Sequence, residues 1–312
     1  MIEQRQARGT FQVKRAAVAP AFDAAGLGRH SLDKSFTGDL EAASLGEMLS
    51  AGGSVPGSAG YVAIERVTGQ LFGRRGSFVL MHTGLMNRGA PSLSVTVVPD
   101  SGTEALAGLS GSMRIAIEKG QHSYEFDCEL PKHLTTDELT AGLAAIGTSP
   151  ADAGVVELIV RRPRMGEREI VQEAELDMQT GLVGDNWKER GSARTADGTA
   201  HPEMQINIMN SRVVNLIATG RDRWPLAGDQ FFVDFDLSAA NLPPGTRLAF
   251  GTAVLEVTSE PHTGCAKFVG RFGLDAMKFV NSPAGRALQL RGINAKVVTP
   301  GRVRAGDVIS KA

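Results

Sequence analysis

The stretch that decides the fold of the first half is Tyr124-Glu125-Phe126-Asp127-Cys128-Glu129-Leu130. Its apolar and acidic residues alternate strictly, so every second side chain lies on one face of an extended strand. An apolar face opposite an acidic face is typical of a β-strand with one side in a protein core. The stretch therefore predicts a half-buried strand, and it places Cys128 on the buried face as a core residue.

Shorter runs with strand-like patterns precede this stretch and are separated by turns that contain glycine. We predict strands at 11–14, 34–40, 61–67, 76–82, 92–98 and 114–117. Glycine accounts for 37 of the 312 residues, which suits many tight turns between strands. No convincing helix interrupts this region, so we predict a closed antiparallel β-barrel over residues 8–131.

Composition limits the partners and the compartment. The formal net charge is −1, which argues against a nucleic acid or a membrane surface bound by bulk electrostatics. The 2 cysteines cannot form a disulfide framework, so a reducing compartment is expected. Residues 1–15 lack the apolar core of a secretory signal, and no apolar run of about 18 residues predicts a membrane span. We expect a cytoplasmic protein with no nucleic-acid or membrane partner.

Two polar features of the first half were open to interpretation. His82 follows Phe78 and Leu80 at every second position and is predicted to point inward. It is either a hydrogen-bonded interior histidine or a polar group that lines a barrel cavity. Glu65 and Arg66 are interpreted as an ion pair on the protein surface.

Three segments then carry a family resemblance: Ser-Phe-Thr-Gly-Asp-Leu-Glu at 35–41, Tyr-Val-Ala-Ile-Glu-Arg-Val-Thr-Gly at 61–69, and Gly-Ser-Phe-Val-Leu-Met-His-Thr-Gly at 76–84. In this order they resemble a bacterial family of unknown function whose fold is a small β-barrel similar to the allene oxide cyclase barrel. The resemblance covers about residues 8–131. It implies a fold and no reaction, because a shared fold does not transfer activity.

A short helix is predicted between the two halves. Thr135 and Glu138 have the spacing of a capping box, and apolar residues follow at helical spacing. The stretch Ser-Pro-Ala-Asp-Ala-Gly at 149–154 is typical of a linker. We therefore predict a linker with a short helix at 132–154 and a second domain at 155–312.

The second domain is also predicted to be mainly β with a few short helices. Strands are predicted at 154–160, 169–178, 205–209, 247–257, 295–298 and 302–309. Helices are expected to begin near Asn210 and Asp275, and the polar residues 186–201 are expected to form a long exposed loop. These elements predict a second β-barrel.

The segment Pro261-His262-Thr263-Gly264-Cys265-Ala266-Lys267-Phe268 places a thiol in polar surroundings that contain glycine. An imidazole three residues before Cys265 and an ammonium two residues after it favour a reactive thiolate. A buried, inert cysteine is the alternative. His262 could activate the thiol, orient a ligand or make a structural hydrogen bond. We predict catalytic roles for Cys265 and His262.

Four motifs of this half resemble one family in the same order: Gly-Leu-Val-Gly-Asp at 181–185, Asp-Leu-Ser at 236–238 with Asn-Leu-Pro-Pro-Gly-Thr-Arg-Leu at 241–248, the segment 261–268, and Leu-Arg-Gly-Ile-Asn-Ala at 290–295 followed by Gly306-Asp307. They resemble the MOSC domain, the C-terminal domain of molybdenum cofactor sulfurases. The resemblance implies a β-barrel with one functional cysteine, a position that Cys265 occupies. Relatives are thought to carry sulfur on it, or to hold the molybdenum cofactor through it and reduce N-hydroxylated compounds.

The resemblance also implies a molybdenum cofactor site. Molybdenum is thiophilic, so Cys265 is the expected metal ligand, and the pterin phosphate requires cationic or N–H donors. The other predicted cofactor-binding residues are Thr263, Gly264, Lys267, Arg271, Arg286, Arg291, Asn294 and Asp185. Each arginine could instead be a solvated surface charge, and Asp185 could be a turn-forming residue and not a site residue.

The sequence lacks the accessory parts that such chemistry requires. Nothing in the first 150 residues resembles the pyridoxal phosphate domain of complete sulfurases, so pyridoxal phosphate is expected only in a separate partner. No flavin motif is present, and two cysteines exclude a four-thiolate cluster. An external electron or sulfur donor protein is therefore expected, beside the small-molecule cofactor or substrate. The alternative is a non-catalytic protein whose two barrels bind small molecules, with Cys265 buried and structural.

Overall fold

The computed structural model describes residues 1–19 and 26–312. The fold is mainly β with a few short helices, and it contains two closed β-barrels, which confirms the predicted fold class. The chain divides into two compact units, Met1–Lys132 and His133–Ala312. In the described residues, no helix is long and apolar enough to cross a membrane.

The first unit is an up-and-down barrel. Its strands are β1 Ile2–Ala17, β2 Leu27–Gly38, β3 Leu40–Gly52, β4 Ala59–Leu71, β5 Arg74–Asn87, β6 Ala90–Val97, β7 Ser110–Glu118 and β8 Gln121–Pro131. Each strand pairs antiparallel with the next, and β8 pairs with β1 to close the barrel. The strands are longer than predicted because apolar residues such as Leu45 and Leu49 also lie on the outer face and obscure the alternation.

One end of this barrel is filled by large side chains. Phe78 and Phe126 stack there with ring centroids 5.8 Å apart, and Leu40, Leu71 and Leu80 complete the packing around them. Each such buried side chain contributes roughly 1.5–3 kcal/mol to folding. Cys128 is buried in the same cluster, as predicted, and burial raises the pKa of its thiol to about 11.

The surface interpretation of Glu65 is wrong. Alternation along β4 places Ala63, Glu65 and Val67 on the inward face, while Arg66 points outward. Glu65 is only 1 % exposed. A carboxylate is tolerated inside the barrel because neighbouring strands supply hydrogen-bond donors to it, among them the buried His82.

The second unit has eleven strands among its residues, all of which the structure describes. They are β9 Ala153–Arg161, β10 Glu169–Val171, β11 Glu173–Asp177, β12 Gly181–Leu182, β13 Ile206–Asn210, β14 Phe231–Asp234, β15 Arg247–Phe250, β16 Ala253–Val257, β17 Ile293–Thr299, β18 Gly301–Arg304 and β19 Val308–Lys311. The barrel order is β9-β14-β13-β17-β16-β15-β19, closed by pairing of β19 with β9. Strand β10 extends the pairing along β9, and β12, β11 and β18 form a small separate sheet.

Short helices pack against this barrel. They are α1 Thr136–Ala141, α2 Leu143–Ile146, α3 Trp187–Arg190, α4 Ser211–Ala218, α5 Ala266–Phe272, α6 Leu274–Asn281 and α7 Pro283–Ala287. The capping box is present, since Thr135 Oγ1 accepts from Glu138 N and Glu138 Oε2 accepts from Thr135 N. Apart from Lys132, the segment predicted as a linker lies in the second unit, where Leu139 and Ile146 are buried in an apolar cluster with residues of α4 and α6.

Candidate functional site

The loop that carries Cys265 connects β16 to α5. At its start, Thr258 N donates to Asn294 O at 2.9 Å, which ties the loop to β17. At its end, Cys265 is the N-cap of α5, and its carbonyl accepts from Phe268 N and Val269 N. The backbone of Cys265 is thus fixed, while its thiol makes no capping hydrogen bond and the residue is exposed. Cys265 is therefore not a buried cysteine.

Asn281, at the end of α6, holds the residue before the cysteine. Its Oδ1 accepts from Gly264 N at 2.9 Å, and its Nδ2 donates to Gly264 O at 3.0 Å. A Cβ at Gly264 would lie 3.1 Å from Val280 and 3.2 Å from Met277. A larger residue here would require these side chains of α6 to shift by a few tenths of an ångström. The sequence reasoning found Gly264 and missed Asn281, which is distant in sequence.

A cavity of about 300 Å³ lies beside this loop. Five of the predicted site residues line it: His262, Thr263, Arg286, Arg291 and Asn294. Cys265 follows Thr263 by two residues, so their Cα atoms are at most about 7 Å apart. The predicted residues Cys265, Gly264, Lys267, Arg271 and Asp185 are not among the lining residues.

Arg291, which lines the cavity, forms a buried ion pair with Asp229. Arg291 Nη1 donates to both carboxylate oxygens of Asp229, at 3.0 and 2.7 Å, and Nη2 donates to Ala227 O at 2.9 Å. Burial raises the pKa of Asp229, although the charge and hydrogen bonds of Arg291 oppose this shift. The guanidinium lies over the ring of Phe268, 5.0 Å from its centroid. Arg291 is therefore a structural ion-pair partner as well as a cavity residue.

The environment of His262 favours the neutral form of its imidazole. Burial lowers its pKa well below the ordinary value, and the nearby charges of Arg291 and Arg162 lower it further. Its Nδ1 lies 3.5 Å from Oδ1 of Asp229 without hydrogen-bond geometry. A neutral imidazole supplies no positive charge to the Cys265 thiolate, so its capacity here is to donate or accept a hydrogen bond.

Asp185 is joined to the cavity indirectly, through a buried hydrogen-bond network. Its carboxylate accepts from Arg162 Nε and Nη2, both at 2.8 Å. Arg162 Nη1 donates to Asn207 Oδ1, and Asn207 Nδ2 donates to Asn294 Oδ1 at 2.6 Å. Asn294 Nδ2 then donates to Glu260 O in the cysteine loop. The sequence reasoning missed Arg162 and Asn207, which form the middle of this network.

The other predicted basic residues occupy different places. Arg271 Nη1 donates to Leu226 O at 2.6 Å, so this guanidinium is directed to the 3-10 segment Arg221–Ala227. Lys267 is exposed on α5. Arg286 is exposed on α7 and donates to Asn281 O at 3.0 Å. Of these three, only Arg286 contributes charge to the cavity lining.

Three buried polar atoms of the cavity lining lack hydrogen-bond partners among the described residues. They are His262 Nδ1, Gln289 Oε1 and Arg291 Nε. An unmade hydrogen bond at a buried polar atom costs roughly 1–3 kcal/mol, so such a cluster is typical of a binding site without its ligand. Donors and acceptors around a small cavity, lined by the loop that also carries the Cys265 thiol, are chemically compatible with a polar, anionic cofactor that carries a thiophilic metal.

Comparisons with known proteins match a different family to each of the two units. The family described as "Protein of unknown function (DUF3224)" matches residues 7–128. The MOSC domain matches residues 198–310. No curated protein matches the chain significantly.

Several solved structures are similar to part of this chain. A DUF3224 family protein of unknown function from Shewanella oneidensis MR-1 is 53 % identical over 40 % of this chain and 96 % of its own, with a TM-score of 0.39. YiiM from Escherichia coli is 18 % identical over 51 % of this chain and 69 % of its own, with a TM-score of 0.34. YiiM from Geobacillus stearothermophilus is 13 % identical over 51 % and 75 %, with a TM-score of 0.35. On the sequence matches, the second resemblance is found again as a match of residues 198–310 to the MOSC domain, and the chain belongs to the DUF3224 family through its first unit.

Proposed function

We propose that the second unit binds a molybdenum cofactor in the cavity beside Cys265. The observation that carries this proposal is an exposed thiol two residues after Thr263, which lines a cavity whose buried polar atoms lack partners among the described residues. A MOSC domain at this place in the chain supports it. The cavity of about 300 Å³ is at the lower end of the range for small-molecule sites.

The residues would divide the binding between metal and phosphate. The Cys265 thiolate is the soft ligand that molybdenum prefers. Arg286 would supply positive charge to the phosphate, because its guanidinium is exposed and has no carboxylate partner among the described residues. Arg291 would supply a hydrogen bond from Nε rather than net charge, since Asp229 neutralises it. A hydrogen bond to a charged group contributes roughly 1.5–3 kcal/mol.

His262 would orient the bound molecule by a hydrogen bond. Its lowered pKa keeps it neutral, so it can donate or accept with the Nδ1 that has no partner in the described part of the chain. Bound cofactor would supply two-electron redox chemistry, suited to reduction of N-hydroxylated compounds by electrons from a separate donor protein. In this proposal the electrons come from that separate protein and from no residue of this chain.

The exposed thiol also supports a second candidate function, in which Cys265 carries sulfur for a donor protein. The thiol makes no capping hydrogen bond and the residue is exposed, so a partner could reach it. Pyridoxal phosphate chemistry would then take place on that partner. This version requires no metal in the cavity.

Native purification from a host that makes the cofactor tests both versions. We expect stoichiometric molybdenum and pterin fluorescence in wild-type protein and in Cys128→Ser, and loss of both in Cys265→Ser. Cys128→Ser is the matched control because that thiol is buried in the first unit. A mass increase of one sulfur atom on Cys265, without molybdenum, would support the carrier version instead. Protein with neither molybdenum nor added sulfur would refute the proposed function.

A further inference from the structure

The interior of the first barrel is filled at one end only. The other end, toward the β3–β4 and β5–β6 hairpins, contains a cavity of about 670 Å³. Its walls are largely apolar and include Val13, Leu32, Met48 and Ile115. Eight-stranded barrels of this size can hold one small ligand when side chains leave the interior open.

A buried polar cluster lies where the packed end meets this cavity. Lys34 on β2, Ser44 on β3, Glu65 on β4 and His82 on β5 come from four adjacent strands and all point inward. Glu65 Oε1 accepts from Lys34 Nζ and lies 2.8 Å from His82 Nε2, while Oε2 accepts from Ser44 Oγ at 2.7 Å. The Glu65 carboxylate thus has three hydrogen-bond donors around it, all of them protein side chains.

Two glycines make room for this arrangement. A Cβ at Gly46 would collide with the backbone and Cβ of Glu65, and a Cβ at Gly84 would collide with the ring of Tyr61. Tyr61, Lys34 and His82 all line the cavity. The close approach of backbone and side chains at both glycines holds the polar groups at the inner end of the cavity.

Lys34 and His82 have bonding capacity that Glu65 does not use. A lysine ammonium carries three N–H donors, and in residues 1–19 and 26–312 Lys34 Nζ makes one hydrogen bond, to Glu65. Because the Glu65 carboxylate accepts at His82 Nε2, a neutral His82 keeps Nδ1 as an acceptor, and a protonated one keeps it as a donor. Both residues line the cavity, so a ligand there can be recognised by them.

The charge of the lining is one-sided. Arg15, Lys34, His82 and His122 line the cavity, whereas none of its described lining residues is an aspartate or glutamate, and the Glu65 carboxylate that neutralises Lys34 lies outside the lining. A ligand that matches this cavity has an apolar body and an anionic or hydrogen-bond-accepting end. Burial of an ion pair costs free energy that well-packed apolar residues would avoid, and this favours a function for the cluster over a purely structural role.

We propose that the first barrel binds an amphipathic monocarboxylic acid, with the carboxylate at Lys34 and His82 and the hydrocarbon chain along the apolar walls. The volume of about 670 Å³ is well within the range of small-molecule sites. This inference does not depend on the proposed function of the second unit, because every residue that carries it lies in Met1–Lys132.

Calorimetric titration of the full chain with straight-chain acids from octanoate to palmitate, and with the matching alcohols, tests the proposal. We expect saturable binding of at least one acid and binding of its alcohol that is at least tenfold weaker. Met48→Trp, which fills the cavity, should abolish binding. Leu45→Trp is the matched control, because Leu45 lies on the same strand but is exposed on the outer face.

The polar end is tested by the double variant Lys34→Met/Glu65→Gln, which leaves no unpaired buried charge. It should weaken acid binding by about 10- to 100-fold, the equivalent of one lost charge-assisted hydrogen bond, and leave alcohol binding unchanged. Absence of saturable binding by any acid would overturn the proposal. Acid binding that survives Met48→Trp, or an alcohol that binds as tightly as its acid, would also overturn it.

Discussion

Replacing Glu65 with Gln should destabilise the first unit strongly, although the substitution changes the side-chain shape very little. In the wild-type protein, the Glu65 carboxylate is completely buried and pairs with Lys34, whose side chain is 7 % exposed. Glutamine removes the negative charge and leaves the lysine ammonium buried without a counter-charge. The distance of 2.8 Å between Lys34 Nζ and Glu65 Oε1 shows that the two charges are in direct contact.

The expected loss follows from this burial. Breaking a buried ion pair by removing one partner costs about 3–5 kcal/mol, whereas removing both charges together is often nearly neutral. We therefore expect Glu65→Gln to cost about 4 kcal/mol and Lys34→Met/Glu65→Gln to cost less than half of that. With a slope of about 2 kcal/mol per molar urea, the single variant should lower the unfolding midpoint of the first unit by roughly 2 M.

The two units can be followed separately in one full-length chain. Peptide-resolved hydrogen exchange in increasing urea reports the first barrel. Tryptophan fluorescence reports only the second unit, because Trp187 and Trp224 both lie there, and its midpoint should not change. If Glu65→Gln loses less than about 1 kcal/mol, or if the double variant is as unstable as the single one, the reasoning from an unpaired buried charge is wrong.

Lowering the pH should remove the interaction of Glu65 with Lys34 and His82 in the wild-type protein. Burial alone would raise the pKa of Glu65, but the hydrogen bond from His82 and the charge of Lys34 outweigh it and lower the pKa to about 2. A lowered pKa stabilises the fold above the unfolded-state value of about 4.3, and this contribution disappears as pH falls toward 2. At 1.36 kcal/mol per unit, the wild-type barrel should lose about 3 kcal/mol across this window. The Glu65→Gln variant should lack this loss.

Two further predictions concern the second unit and the cysteines. A thiol reagent should label Cys265 in the native protein and leave Cys128 unlabelled, because Cys265 is exposed while Cys128 is buried with a pKa raised to about 11. The intact mass of the labelled protein, measured before and after unfolding, checks this prediction. Labelling of Cys128 in the native protein would contradict it. Asp229→Asn should destabilise the second unit by about 3–5 kcal/mol, since it leaves the Arg291 guanidinium buried without its carboxylate. Unfolding monitored by tryptophan fluorescence measures this loss. Substitution of the exposed Arg286 by glutamine is the control, and it should change stability by less than about 0.5 kcal/mol. Equal effects of the two substitutions would refute a stabilising ion pair between Asp229 and Arg291.

The sequence was sufficient for features that depend on local pattern. Alternation over 124–130 predicted an inward Cys128, and the structure buries it. The spacing of Thr135 and Glu138 predicted a capping box that is present. The cysteine loop was found because its polar residues and glycine follow an apolar strand, and the exposure of Cys265 agrees with that reasoning.

Features that depend on strand register were missed. Adjacent Glu65 and Arg66 have the local pattern of a surface pair, and the partners of Glu65 are 31 and 17 residues away, at Lys34 and His82. Arg162 is likewise 23 residues from Asp185. Only the closed pairing of strands brings such residues together, and composition or periodicity holds no information about which distant charge will face which.

The closure of the first barrel by β1 and β8 has a consequence for modularity. Ile2 pairs with Pro131 across the closing strands, and Lys132 N donates to Met1 O. The chain therefore enters and leaves the barrel at neighbouring points on one rim. A fold with adjacent ends can be inserted into a surface loop of a host protein, or circularly permuted, with little strain. The barrel should therefore fold when its coding sequence is inserted into that of another protein. A circular permutant with new ends in the β3–β4 hairpin should still form the closed barrel.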